Sequence, residues 1–542
     1  MLKVFCFFCF FSISFAQAQN FSLKDTLRGT LSPERTWFDV NYYHLSIHVD
    51  VEYKSISGYN DIAFTVLEKS TKMQLDLFEN LTVDSVVYKN ELCKVSRQFD
   101  AFFIDLPFEL EIGNSPTIRV YYHGKPIAAK NAPWDGGFVW KKDPQGLPWI
   151  GVACQGLGAS SWWPCKDHLS DEPDSMRITC SVPKEVQFIG NGNLESDNIV
   201  DDKRVSTWKV SYPINTYNVT LNIADYSHLE DVYISDFDTL ALDYYVLKGN
   251  EDKAEKQFEQ VKPMLAIYEN LFGPYPFWND GYALVETSYL GMEHQSAIAY
   301  GNKYKPGYLG RYPGNMDFDF IVIHESGHEY WGNSVSMNDI ADMWIHESFC
   351  TYTEALYVEQ IYGYNSMLEY LLYQKGFISG SSPILGVHGV NHKGNSTDMY
   401  YKGSWMLHSI RNTVNNNSLW FSILKDVAQN FAVKNCNGEE IIDFICNKAG
   451  VDLKPIFKQF LAHAELPILR YKFKKRSGKL QLDYKWEASE VNFEMPVEIN
   501  VGGNEKIRIF PNAKYQRVNL GNRAKKSVKF SEELFLFEKK ED

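Results

Sequence analysis

Between residues 35 and 225 apolar positions alternate with polar ones. Tyr43, Leu45, Ile47, Val49 and Val51 fall on every second position, and the runs DIAFTVL, KMQLDL, IRVYYHG and WKVSYPINTYNVTLNIADY follow. A period of two puts one set of side chains on one face of a sheet, so this stretch predicts a β-rich domain. No fixed-period repeat runs through it, which argues against a solenoid. Past residue 225 the period lengthens: Phe258, Val261, Met264, Leu265, Tyr268 and Leu271 recur at helical spacing, and Gly273-Pro274-Tyr275-Pro276 ends that helix. Helical stretches, one from about Met343 to Ile361, continue to about Ala464. After Leu466-Pro467 the strands return as RYKFK, GKLQLDYKW, PVEINV, KIRIF and KSVKF, enough for a small β-sandwich. The expected fold class is multidomain α+β: a β-rich N-terminal domain over 19–228, a mainly α domain over 229–465 and a C-terminal β-sandwich over 466–542.

Composition narrows the setting. At 542 residues, with 44% hydrophobic and 15% aromatic residues, the chain exceeds one core and can fill several. A formal net charge of −14 without a Lys/Arg-rich block argues against nucleic acid or an anionic membrane as partner. The opening stretch, MLKVFCFFCFFSISFAQAQ, carries Lys3, an apolar run from Val4 to Phe15 and the small-residue site Ala16-Gln17-Ala18. It reads as a signal peptide over 1–18, too short to span a bilayer at roughly 20 residues, so the expectation is export to the periplasm or the exterior without stable membrane insertion. Its removal leaves an odd seven cysteines, Cys93, Cys154, Cys165, Cys180, Cys350, Cys436 and Cys446. An oxidising compartment admits a disulfide among them; small buried thiols are the plainer reading.

The candidate chemistry lies in FIVIHESGHEYWGNSVSMNDIADMWIHESF. Four residues apart on a helix, His324 and His328 share one face and can address one cation, and Glu325, beside the first, can act as a base toward water. Phe318, Ile321, Val322, Ile323 and Trp331 make the segment apolar and therefore buried, where His and Glu need partners. A carboxylate third ligand would complete a zinc site with one coordination position left open for water, a catalytic rather than a structural set. Glu347, after eighteen intervening residues, is the favoured third ligand; its neighbour His346 competes, and 100° of helical rotation lets only one of them face the metal.

HESGHEYWGN followed by WIHESF resembles the signature of gluzincins, and in particular of the aminopeptidase N and leukotriene hydrolase family, peptidase family M1. CQGLGASSWWPCKDHLSDEP, LGMEHQSAIAY and MYYKGSWMLHSI fall in that family's order, so the resemblance covers most of the chain from Gln155 to Gly403. It implies a thermolysin-like catalytic domain, one zinc per chain on His324, His328 and Glu347, and hydrolysis of the first peptide bond of peptides with a free N-terminus. By position it implies Glu325 as general base, Tyr400 as hydrogen-bond donor to the oxyanion, and Glu293 and Gln155 as holders of the substrate's amino group. A thermolysin-like endopeptidase shares the zinc motif but fits Gly291-Met292-Glu293 and the Tyr400 pattern poorly, and a silent peptide-binding relative would not be expected to keep all four of His324, Glu325, His328 and Glu347. Where the family's epoxide hydrolases carry an Asp eight residues before the tyrosine, this chain has His392, which implies peptidase chemistry alone.

Three departures accompany the resemblance. His294 replaces the Asn of the family's Gly-x-Met-Glu-Asn, which puts its hydrogen bonds to substrate backbone in question. Lys166 to Ser170 is an insertion near the expected cleft, and Ser348 is a polar change beside a ligand. The helical domain that follows in many relatives has no counterpart in this sequence, which implies a cleft more open on that side.

Overall fold

The computed structural model describes residues 21–542 apart from 312, 315, 393–396 and 503–504, so the expected signal over 1–18 lies outside the described residues. Two short helices come first, α1 (Leu23–Gly29) and α2 (Pro33–Thr36), and Ser22 opens α1 through a capping box with Asp25. The alternating stretch then builds an eight-stranded sheet. Its strand Phe38–Asp50 runs antiparallel to Ser55–Val66, with Leu45 opposite Asn60, and parallel to Ser175–Pro183, with Leu45 opposite Ile178. Tyr43, Leu45, Ile47 and Val49 are all buried, the face that the period of two marked. Strand Pro148–Ala153, in a separate four-stranded sheet, delivers the chain to Gln155.

A five-stranded sheet follows, made of Tyr226–Ile234, Thr239–Leu247, Tyr282–Glu286, Ile298–Tyr300 and, at its edge, Gly291–Met292. The edge strand is antiparallel to Ile298–Tyr300, with Met292 opposite Ala299. Helices α3 (Glu251–Phe258) and α4 (Val261–Phe272) interrupt it, and Gly273 stops α4 with φ 103°. The zinc-motif helix α5 (Phe320–Gly327) is capped by Asp319, whose carboxylate accepts from the N–H groups of Ile321 and Val322; His328 is its C-cap. Helix α6 (Trp344–Tyr362) carries Glu347 and is buried on all sides from Trp344 to Val358, as an apolar helix at the centre of a domain must be. Around it stand α7 (Tyr364–Lys375), α8 (Tyr401–Val414), α9 (Asn417–Asn430), α10 (Gly438–Ala449) and α11 (Lys454–Ala462).

The last part forms a four-stranded and a three-stranded sheet. Its apolar side chains, Phe535 and Leu536 among them, join the same core cluster as Trp344 and Trp405 of the helical part, whereas the N-terminal β-rich part has a separate core. Polar contacts tie it to α8, where Asn412 Nδ2 donates to the carbonyl of Leu534 at 3.1 Å. All seven cysteines among the described residues are free thiols, five of them buried.

The polar change at Ser348 has a structural use. Its hydroxyl donates to the carbonyl of Met399 at 2.7 Å, and Gly403 packs so close that a Cβ there would lie 1.9 Å from Ser348 Oγ. The contact sets the start of α8, and with it Tyr400, against α6. Gly403→Ala is therefore expected to cost about 1–3 kcal/mol through overpacking, read as a lower unfolding midpoint in a denaturant titration; an unchanged midpoint would show that the two helices have slack at this point.

Candidate metal centre and amino-group site

The two imidazoles converge as the helical spacing requires, with Nε2 of His324 and Nε2 of His328 3.2 Å apart. Each ring is fixed from behind by an acceptor on Nδ1: Glu354 Oε1 at 2.6 Å for His324 and the carbonyl of Trp331 at 2.8 Å for His328. Both Nδ1 atoms are therefore the protonated ones, and two Nε2 lone pairs face each other. Glu347 Oε2 completes the convergence at 3.7 Å from His324 Nε2 and 3.5 Å from His328 Nε2, and it has no hydrogen-bond partner although it is buried. Three electron pairs meeting among buried groups repel one another unless a cation lies between them. Two neutral imidazoles and a carboxylate fit zinc.

Burial raises Glu347's carboxyl, but the nearness of the His324 and His328 rings outweighs this and holds it well below the usual carboxylate range, so an anionic carboxylate faces them. His346 faces elsewhere: its Nε2 accepts from the Met337 N–H at 3.2 Å, its Nδ1 lies 3.4 Å from the Tyr217 hydroxyl, and burial lowers it to about 3. Cys350 also lies within 4.8 Å of ring nitrogens of His324 and His328, but its thiol donates to the His324 carbonyl at 2.8 Å.

Glu325 lies beside this set, and burial pushes its carboxyl up to about 7, the imidazoles pulling down and Glu293 and Glu347 pushing up. Gly291, on the edge strand, backs it closely: a Cβ there would come within 2.5 Å of Glu325 Oε1. Tyr400 donates to Glu347 Oε1 at 2.9 Å, and burial together with that carboxylate holds its phenol well above the usual range, so it stays an O–H donor.

Glu293 is buried across the cleft, where Gln155 Nε2 donates to its Oε1 at 2.6 Å and the Tyr217 hydroxyl at 3.1 Å. The same Gln155 nitrogen lies 3.3 Å from Glu347 Oε1, so one amide links the two carboxylates. Asn333 Nδ2 holds the Glu293 carbonyl at 2.9 Å. The cleft, with about 320 Å³ of free space, is lined by all seven residues singled out in the sequence, together with Trp134, Met292, Tyr308, Phe320, Tyr401 and others, and by no Lys or Arg among the described residues. His294 does not line it. Its ring is fully buried, so the replacement at that position does not change a contact within the cleft.

Glu354, Tyr217 and Asn333 escaped the sequence reading. Glu354 follows Glu347 by seven residues, two turns along the same face of α6, and that spacing is the one signal that could have found it. Its other oxygen accepts from the Tyr370 hydroxyl at 2.6 Å and Gln374 Nε2 at 3.2 Å, which keeps the His324 ring in place.

An HExxH helix with a carboxylate ligand from the next long helix, opened toward a substrate-sized cleft, defines a zinc metallopeptidase site. The chain matches the peptidase family M1 domain over residues 256–460. It is 22% identical to leukotriene A-4 hydrolase of Xenopus laevis, over 76% of this chain and 68% of that protein. It is 22% identical to a leucyl aminopeptidase of Saccharolobus solfataricus, over 80% of this chain and 54% of that one, and 21% identical to a probable aminopeptidase of Sulfurisphaera tokodaii, of which it spans 30%. In fold it is similar to an M1 zinc metallopeptidase from Deinococcus radiodurans solved with a Tyr-Ser-Ala substrate, with a TM-score of 0.69 at 18% identity, over 82% of this chain and 98% of that one.

Because Glu354 fixes the ring that must meet the metal, Glu354→Gln is expected to weaken zinc binding roughly 10–100-fold. Competition with a chromogenic chelator measures it; an unchanged affinity would show that α6 packing alone orients His324.

Proposed function

We propose that the protein is a zinc-dependent aminopeptidase that hydrolyses the N-terminal bond of peptides, with one zinc per chain. The observation that carries this reading is Glu293: a buried carboxylate in the cleft, hydrogen-bonded by Gln155 and Tyr217 but paired with no cation among the described residues. A carboxylate in such a place is completed by a cation brought from outside, and a peptide's α-ammonium is one.

Zinc held by His324, His328 and Glu347 would supply a Lewis acid that polarises the scissile carbonyl and acidifies water. Glu293 and Gln155 hold the ammonium and so place the first peptide bond beside Glu325. The Glu325 carboxyl, brought by burial to about 7, takes the proton of the attacking water and returns it to the departing amine. Tyr400 donates its O–H to the oxygen on which charge develops. The complete set of His324, Glu325, His328 and Glu347 speaks for a working enzyme over a silent binding protein, and the wall at Glu293 speaks for an exopeptidase over an endopeptidase. The composition of residues 1–18 supports export to the periplasm or the exterior.

Two outcomes test the assignments. Glu325→Gln is expected to retain zinc and lose kcat by at least about a hundredfold, the lower range for a general base; full activity in a zinc-loaded variant would remove Glu325 from the chemistry. An ammonium and a carboxylate about 4 Å apart at a partly screened site attract by about 4 kcal/mol. N-acetylation of a peptide is therefore expected to cut kcat/KM for its first bond at least a hundredfold, and ready hydrolysis of the acetylated peptide would contradict the role of Glu293.

A further inference from the structure

We propose that Arg28 is a positioning residue for the amino-group site, holding the turn that carries Gln155 against Glu293; the inference rests on the aminopeptidase reading above. Residues 22–36, helices α1 and α2, form a strap that reaches Gln155 from behind. Arg28 is 7% exposed, and its Nη2 donates both to the Leu157 carbonyl at 3.1 Å and to Asp167 Oδ2 at 2.7 Å. Leu157 and Gly158 in turn donate their N–H groups to the Cys154 carbonyl at 3.0 and 2.7 Å, closing the turn around Gln155.

The approach is tight enough to require a glycine. At Gly158, with φ 98°, a Cβ would lie 2.2 Å from the Arg28 guanidinium and 2.4 Å from the Asp167 carboxylate. Asp167 cannot retreat, because its Oδ2 also accepts from the N–H and hydroxyl of Ser160 at 3.1 and 2.5 Å. Nor can the strap, because the fully buried Arg35 donates to the Arg28 carbonyl at 2.6 Å and pairs with Asp76, which itself accepts the Asp167 N–H at 3.1 Å. The insertion seen in the sequence, Lys166 to Ser170, is thus part of this frame.

On its other side the strap is joined to the helical part. Asn391 donates its N–H to the Asp25 carbonyl at 3.1 Å, and the Thr30 hydroxyl donates to the Gly389 carbonyl at 3.0 Å. Gln155 and Tyr217, both donors to Glu293, line a cavity of about 40 Å³ that Arg28 and Gly29 also line. The 2.6 Å contact from Gln155 to Glu293 leaves little tolerance, since a displacement of about 1 Å at a substrate-positioning group costs on the order of a hundredfold.

The test is a double-mutant cycle on zinc-loaded protein with leucine p-nitroanilide as the probe. R28Q is expected to raise KM roughly tenfold with kcat changed by less than about threefold, and Q155A to do the same. R28Q/Q155A is expected to match Q155A alone, because Arg28 acts only through Gln155. Circular dichroism and the unfolding midpoint establish that each variant is folded. Should R28Q fail to fold, R28K carries the same cycle: it keeps a charged donor for Asp167 and the Leu157 carbonyl on a side chain of different shape, so a smaller rise in KM is expected, again absorbed by Q155A. A folded Arg28 variant with unchanged KM, or effects that multiply in the double variant, overturns the proposal while the aminopeptidase reading stands. A wild-type chain that cleaves no aminoacyl p-nitroanilide overturns both.

Discussion

The constraint on which the rest depends is the meeting of three electron pairs at the buried floor of the cleft. The Nε2 atoms of His324 and His328 face each other at 3.2 Å, and the unpartnered Glu347 Oε2 lies within 3.7 Å of both. Such a convergence is unfavourable unless a cation fills it, and much of the surrounding structure serves to maintain it. Glu354 and the Trp331 carbonyl keep both Nδ1 protons turned outward. Tyr400 and Gln155 occupy the other oxygen of Glu347, leaving only Oε2 to face the gap.

Around this centre the cleft is assembled from parts far apart in the chain. Gln155 comes from the turn just after a β-strand in the N-terminal region, Glu293 from just beyond the edge strand Gly291–Met292, the zinc ligands from α5 with its C-cap and from α6, and Tyr400 from the N-cap of α8. The contacts that hold them together pass between these parts. Gln155 touches both Glu293 and Glu347, Ser348 ties α6 to the start of α8, and the strap reaches from the Gln155 turn to the loop at Gly389–Asn391. Peptide selectivity in this account is therefore a property of how the β-rich and helical parts meet, while the bond-breaking chemistry belongs to the helical part.

Periodicity made the strands legible because one face of each is buried, as in the alternation over 43–49, whereas the helix carrying Glu347 is buried on all sides and shows no such face. The zinc ligands were legible because two of them lie one turn apart on one helix. Glu354 lies on the same face of α6 as Glu347, but a glutamate on a helix is ordinary until its partner is known. Arg28 and Asp167 were beyond reach, since 139 residues separate two side chains that meet at 2.7 Å. His294 shows the opposite error: beside Glu293 it reads as a change in substrate contacts, yet the backbone turns its ring into the interior, away from the cleft. Sequence adjacency to a functional residue says little about which way the next side chain points.

The measurement that tests the central claim most directly is zinc content against activity on one preparation, taken through graded chelation and reconstitution. Elemental analysis and hydrolysis of an aminoacyl reporter are followed together. The account predicts a rate proportional to bound zinc, reaching its maximum at one zinc per chain and vanishing with the metal. Undiminished hydrolysis by metal-free protein, or zinc-replete folded protein that cleaves no substrate with a free amino terminus, would contradict it.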